Sequence, residues 1–216
     1  MRGIPFATRL DRCPRCVMMR SACICDALPT VVTRTRIVII RHARELVKPS
    51  GTARIAVLAL PNAEIIDYRD EQGDTPAWVQ ALHPRPEEVL GPDAVAARLR
   101  ALPSPHLLFP TGRTSADAPP TLVVLDGTWR QARQMFRRIP GVPALPTVSL
   151  DASAVAVVRL RNAFRAEERS TLEAIADAIA ALEGVEVAAP LHALHERFVR
   201  DSLRSRGRMR PATDEA

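Results

Sequence analysis

Lysine is almost missing from this chain. Lys48 is the only one among 30 basic residues, so arginine carries nearly all of the positive side of a net charge of +6. A chain rich in Arg, Ala and Pro often mirrors genome composition, so the choice of cation says little. The surplus itself says more, and it favours a polyanionic partner, nucleic acid first. Long apolar runs are also missing: nothing approaches the roughly 20 residues of a membrane span. Met1 to Leu10 has no apolar core of the kind a signal peptide carries, which points to the cytoplasm. No internal repeat, Walker sequence, G-x-G-x-x-G, G-x-S-x-G or H-E-x-x-H occurs, which argues against a common kinase, dehydrogenase or hydrolase. No cysteine follows Cys25.

What is present is 216 residues, 47% hydrophobic and 25% charged, enough for one domain with a real core plus a small appendage. The chain is organised around TLVVLDGTWRQARQMFRR, residues Thr121 to Arg138. Thr121 to Leu125 is β-branched and too short for a helix, and reads as a buried strand ending at Asp126. Gly127 permits a tight turn, and Thr128 is placed to N-cap a helix. From Trp129 the period changes: Trp129, Ala132, Met135 and Phe136 share one face, and Arg130, Arg133 and Arg137 another. An acid, a hydroxyl and an indole therefore stand where a strand meets a helix N-terminus, which in open α/β sheets is where ligands bind. The plainer reading is that Asp126 and Thr128 cap the helix and Trp129 fills a core.

Cys13, Cys16, Cys23 and Cys25 all lie in CPRCVMMRSACIC. Four soft ligands so close together suit a structural zinc, with C-x-x-C supplying two through a tight turn, although C-x-C is a closer second pair than usual. A disulfide pair is the rival, disfavoured in a reducing cytosol. With all four positions filled, the metal would be structural. Arg12, Arg15 and Arg20 beside it either touch RNA or are solvated.

Elsewhere, RIVIIR at Arg36 to Arg41 reads as a buried strand with His42 at its end. Pro49, Ser50 and Gly51 break the chain, and Thr52 is placed to cap a helix running to about Leu60. Glu64 to Tyr68 reads as a second strand, and a helix is expected near Asp93 to Ala101. The stretch from Asp70 to Pro105 carries Trp78 and His83 without a pattern. His106 to Phe109 is another short strand, stopped by Pro110. About ten residues separate it from the Thr121 strand, too few for a crossover helix. Thr147 to Leu150 and Ala154 to Arg161 read as further strands. Ser170 opens the clearest helix with capping-box spacing to Glu173, and Gly184 ends it. A last helix is expected over Leu191 to Arg206. On it His192 and His195 sit three apart with no third metal ligand in view, ahead of a basic tail ending in PATDEA.

Taken together, the chain resembles the DTW-domain family. The resemblance rests on C-x-x-C and C-x-C at Cys13 to Cys25, on His42, Glu45, Lys48 and Pro49 with Thr52 behind them, on LLFP, on DGTW, and on STLEA at Ser170 to Ala174. These features stand in family order over about residues 11–185. Ser50-Gly51-Thr52 departs from the expected Asn-Thr pair. The resemblance implies an α/β, SPOUT-like, knotted and mostly parallel sheet flanked by helices. A cysteine-rich zinc module would span residues 1–30, a catalytic domain 31–206 and a basic tail 207–216.

It also implies transfer of the 3-amino-3-carboxypropyl group from S-adenosylmethionine to N3 of a uridine in tRNA. Neither a membrane nor an obligatory protein partner is expected. Asp126, Thr128 and Trp129 would form the catalytic set, Asp126 as the base or as the ligand of the donor's ammonium. Phe109, Pro110 and Thr111, with Leu125, Asp126 and Gly127, would frame the adenosine. Arg or the N–H groups at Ser170 and Thr171 would hold the donor's carboxylate. His42, Lys48, Arg130, Arg133 and Arg137 would meet the RNA. Two other functions fit the same residues: a SPOUT-like RNA methyltransferase, and a zinc-bearing RNA-binding protein without catalysis.

Overall fold

The structure is a computed structural model and describes residues 11–46, 48–70, 88–110, 118–150 and 169–205. Its centre is a sheet of strands β1 (Arg36–His42), β2 (Ala63–Tyr68), β3 (Pro105–Leu108), β4 (Thr121–Asp126) and β5 (Thr147–Val148). Their order is β2-β1-β4-β3-β5, and every pairing is parallel. A parallel sheet has both faces covered, so its inner strands are apolar at successive positions rather than at alternate ones. Ile37, Val38, Ile39 and Ile40 are fully buried in succession, as are Leu122 and Val123. β3 and β4 lie side by side in parallel although only residues 109–120 connect them.

Five α-helices flank the sheet among the described residues: α1 (Ala53–Ala59), α2 (Pro92–Arg100), α3 (Trp129–Arg138), α4 (Thr171–Glu183) and α5 (Val185–Ser205). Strand parity sorts the packing. Ile37, Ile39, Leu122 and Val124 face α1, α4 and α5. Val38, Ile40, Leu107 and Val123 face α2 and α3. Cys16, Met18 and Ile24 of the N-terminal segment join the first of these cores, so the cysteine cluster sits on the α1/α4/α5 face and away from α3.

Three sequence expectations shift. β5 ends at Val148 rather than Leu150. The last helix begins at Val185, six residues before Leu191, and carries Pro190 within it. Gly184, at φ +108, breaks the axis in a single residue, so the next helix starts without a connecting loop. Thr52 does not cap α1: its backbone is helical and its side chain makes no cap bond there. The strand expected at Ala154 to Arg161, together with Trp78, His83, Thr111 and the tail, lies outside the described residues. No helix among the described residues is long and apolar enough to cross a membrane.

Candidate active site

All five strands run the same way, so their C-terminal ends share one edge of the sheet. The chain leaves β1 toward β2 and leaves β4 toward β5, in opposite directions from two neighbouring strands. Their helices α1 and α3 consequently cover opposite faces. Where connections diverge in this way, the strand ends are left with a crevice between them. Parity then splits that crevice. Asp126 follows Leu122 and Val124 onto the α1/α4 side, and His42 follows Val38 and Ile40 onto the α3 side.

On the α1/α4 side, Asp126 is 6% exposed. The Thr171 hydroxyl donates to its Oδ1, while its Oδ2 is buried with no hydrogen-bond partner. Burial pushes the carboxyl up from 3.8 to about 6, and Glu45 adds to the rise. The Thr171 bond and the charges of Arg41 and Lys48 pull the other way. Arg41 is spent on Asp67, through Nε at 2.6 Å and Nη2 at 2.9 Å. Glu45 is spent on Lys48.

Arg54 is different, and no sequence motif marked it. Its Nη2 donates to the Leu46 carbonyl at 3.1 Å, but its Nη1 is buried without a partner. Burial draws this guanidinium down to about 10, with Arg41 adding to the effect and Asp126 opposing it. A cation in the first turn of a helix also opposes the macrodipole. That misfit is the signal the sequence contained: Arg54 is the second residue of α1.

The N-terminus of α4 is less open than expected. The Ser170 N–H donates to Glu173 at 3.1 Å and the Glu173 N–H to the Ser170 hydroxyl at 3.3 Å, closing the capping box. The Leu172 N–H donates to Thr52 Oγ1 at 3.2 Å, so Thr52 caps this helix instead of its own. Ser170 Oγ also lies 2.9 Å from His195 Nε2, which accounts for that buried histidine. Of the two N–H groups expected to be free, that of Ser170 is engaged within the chain, as are those of Leu172 and Glu173.

On the α3 side, Thr128 N-caps the helix with Gln131 completing a capping box, at 2.6 and 3.3 Å. Gly127 is required here, because a Cβ would stand 2.9 Å from that of Gln131. Thr128, Arg130, Gln131 and Gln134 form one wall of a cleft of about 380 Å³, and His42, Arg44 and Lys48 form the other. His42, expected at the RNA, lines this cleft but is only 1% exposed, and its Nδ1 accepts from the Arg44 N–H at 3.2 Å. Arg130, Arg133 and Arg137 are exposed along α3.

Trp129 and Phe109 meet each other but do not line this cleft. Phe109 stacks on Trp129 at 5.9 Å and on Phe136 at 4.7 Å, and Arg133 lies 5.2 Å from the indole centroid. Trp129 remains 41% exposed, so it is not a core filler. Leu125 and Gly127 flank Asp126 and are partly buried, and Pro110 is exposed.

The four thiols form a separate centre. Cys13 and Cys25 sulfurs are 3.6 Å apart, Cys16 and Cys23 sulfurs 3.8 Å, and all four lie within 4.8 Å of one another. Sulfurs at the corners of a tetrahedron with Zn–S bonds of about 2.3 Å stand about 3.8 Å apart. The donor set and its spacing fit such a metal. The knuckle is built by the Val17 N–H donating to the Cys13 carbonyl at 2.9 Å, with Val17 held at φ +61.

A family model for the DTW domain matches residues 10–203. Two curated relatives carry the name tRNA-uridine aminocarboxypropyltransferase 2. That of Drosophila melanogaster is 26% identical over 200 residues, covering 86% of this chain and 74% of its own. That of Macaca fascicularis is 27% identical over 184 residues, covering 82% of this chain and 58% of its own. The chain thus spans a little over half the length of the second. No solved structure matches.

Proposed function

This chain belongs to the DTW-domain family, and on that premise we propose that it transfers the 3-amino-3-carboxypropyl group of S-adenosylmethionine to N3 of a uridine in tRNA. The names of the relatives support the activity. The observation that carries it in this chain is Asp126: a buried carboxylate at the divergence of β1 and β4, with one oxygen held by Thr171 and the other uncommitted.

The reaction forms an N3–C bond and breaks a C–S bond. The bonding pair leaves on sulfur, giving methylthioadenosine, and the N3 proton must go to a base. A sulfonium is a good leaving group, so the protein has to position the reactants and accept that proton. Asp126 Oδ2 is the acceptor in this reading, its basicity raised by burial to about 6. With the N–H groups of Ser170, Leu172 and Glu173 engaged, the donor's carboxylate falls to Arg54 Nη1. Phe109 to Thr111 and Leu125 to Gly127 frame the adenosine. Trp129, half-open beside Phe109, offers a face for the everted uracil. The stripe of Arg130, Arg133 and Arg137 meets phosphates.

The same reading gives the fold a SPOUT-like knot, supported by the short link between adjacent parallel β3 and β4. It divides the chain into a zinc module at 1–30, a catalytic domain at 31–206 and a tail. Zinc on Cys13, Cys16, Cys23 and Cys25 would tie the N-terminal segment to the α1/α4/α5 core and supply no chemistry to the reaction.

Nucleoside mass spectrometry of tRNA incubated with the protein and S-adenosylmethionine tests this. The expected result is a uridine heavier by the aminocarboxypropyl group, with methylthioadenosine in equal amount. A methyl gain with S-adenosylhomocysteine would make the protein a methyltransferase. Binding of tRNA without any gain would leave a non-catalytic RNA-binding protein.

A further inference from the structure

The cleft on the α3 side of the crevice is lined by cations, and the two substrates differ in sign of charge. S-adenosylmethionine carries a sulfonium and an ammonium against one carboxylate, so it is a net cation. RNA is a polyanion. The cleft on the α3 side presents Arg44, Lys48 and Arg130. Lys48 is neutralised by Glu45. The guanidiniums of Arg44 and Arg130 are exposed and have no hydrogen-bond or ion-pair partner among the described residues. Such a cleft repels a sulfonium donor and draws an anion.

At about 380 Å³ it is larger than one phosphate and lies within the range of small-molecule sites, roughly 300–1,000 Å³. Two N–H groups of the helix start are already engaged, because Gln131 accepts from the Thr128 N–H and the Thr128 hydroxyl accepts from the Gln131 N–H. The attraction to an anion comes from two forked cations lining the cleft, one in the turn after β1 and one on α3, and guanidiniums suit phosphate oxygens.

We propose that this cleft is a phosphate subsite, seating a phosphodiester of the RNA strand that bears the reactive uridine between Arg44 and Arg130. Arg133 and Arg137 continue the track along α3. This assignment takes RNA as the substrate from the transferase reading, but the charge argument does not depend on the chemistry of transfer.

The test uses the full chain with Arg44→Gln and Arg130→Gln. tRNA affinity is measured against salt concentration. Calorimetry then compares uridine 5′-monophosphate, uridine and S-adenosylmethionine. Each substitution is expected to weaken tRNA binding and to make the slope of log affinity against log salt shallower by about one. Uridine monophosphate is expected to bind wild type more tightly than uridine and to lose that advantage in Arg44→Gln, with donor affinity unchanged. An unaltered slope and an unaltered nucleotide preference in Arg44→Gln would overturn the subsite. Loss of donor binding instead would assign the cleft to S-adenosylmethionine. Altered slopes in a protein that never modifies tRNA would retain the subsite and refute the transferase.

Discussion

The Thr171 hydroxyl donates a hydrogen bond to Oδ1 of Asp126, joining the first turn of α4 to the end of β4 across 45 residues. The bond occupies one carboxylate oxygen and leaves the other buried and unmatched. The Leu172 N–H, next in the chain, is bonded to Thr52 at the start of α1. The first turn of α4 is thus tied both to the acid and to α1, which restricts the orientation of the carboxylate as a positioned proton acceptor requires.

An acid whose pKa is raised by folding binds its proton more tightly in the native state. Between about pH 4 and 6 the native protein then holds more protons than the unfolded chain, and stability falls as pH rises, by about 3 kcal/mol for a shift of about two units. Asp126→Asn removes this titration. Its stability, measured by urea unfolding, is expected to match wild type near pH 4 and to exceed it above pH 6, while transfer drops roughly 10²–10⁴-fold. An advantage of equal size at both pH values would show that burial of the charge is not what Asp126 costs.

Thr171 holds the carboxyl down by hydrogen bonding to its charged form. Thr171→Val keeps the shape and removes the bond. The rising limb of the pH–rate profile is expected near pH 6 in wild type and at higher pH in the variant, with much of the rate returning once the pH exceeds the new value. A limb that stays in place would mean that another group controls it.

Arg54→Met removes the guanidinium whose Nη1 has no partner. Charge-assisted hydrogen bonds contribute about 1.5–3 kcal/mol, so calorimetry should show S-adenosylmethionine binding weakened by roughly 10- to 150-fold. The decarboxylated donor should bind the variant and wild type alike, and tRNA affinity should hold. Equal weakening of both donors would place Arg54 away from the carboxylate.

Purified wild type is expected to contain one zinc per chain, and Cys13→Ser less. Structural zinc is coupled to folding, and Cys16, Met18 and Ile24 pack into the α1/α4/α5 core. The thermal midpoint should therefore fall on substitution or chelation, while transfer at low temperature survives in the fraction that stays folded. A full zinc complement in Cys13→Ser, read by elemental analysis, would count against this ligand set.

Much of this molecule was legible where the physics is local. The change of period at Asp126-Gly127-Thr128 marks the strand end, the turn and the helix cap, because all three depend on neighbours within four residues. Ser170 and Glu173 form the capping box their spacing suggests. The four cysteines converge because their ligand atoms are separated by short turns. The last helix starts earlier than Leu191, with Pro190 inside it and Ala188 and Leu191 buried on either side.

Partners far apart in the chain were another matter. Sequence placed an acid at Asp126 and a hydroxyl at Thr52, but only the parallel order β2-β1-β4-β3-β5 decided that Asp126 meets Thr171 and that Thr52 caps α4. The same order divided a cationic cleft from a buried acid and left Arg54 Nη1 without a partner. Capping, turn chemistry and clustered ligands are settled by adjacent residues and can be read in one dimension. Charge separation and an unmatched buried atom depend on which faces are brought together, and that is determined by burial of both sides of the sheet.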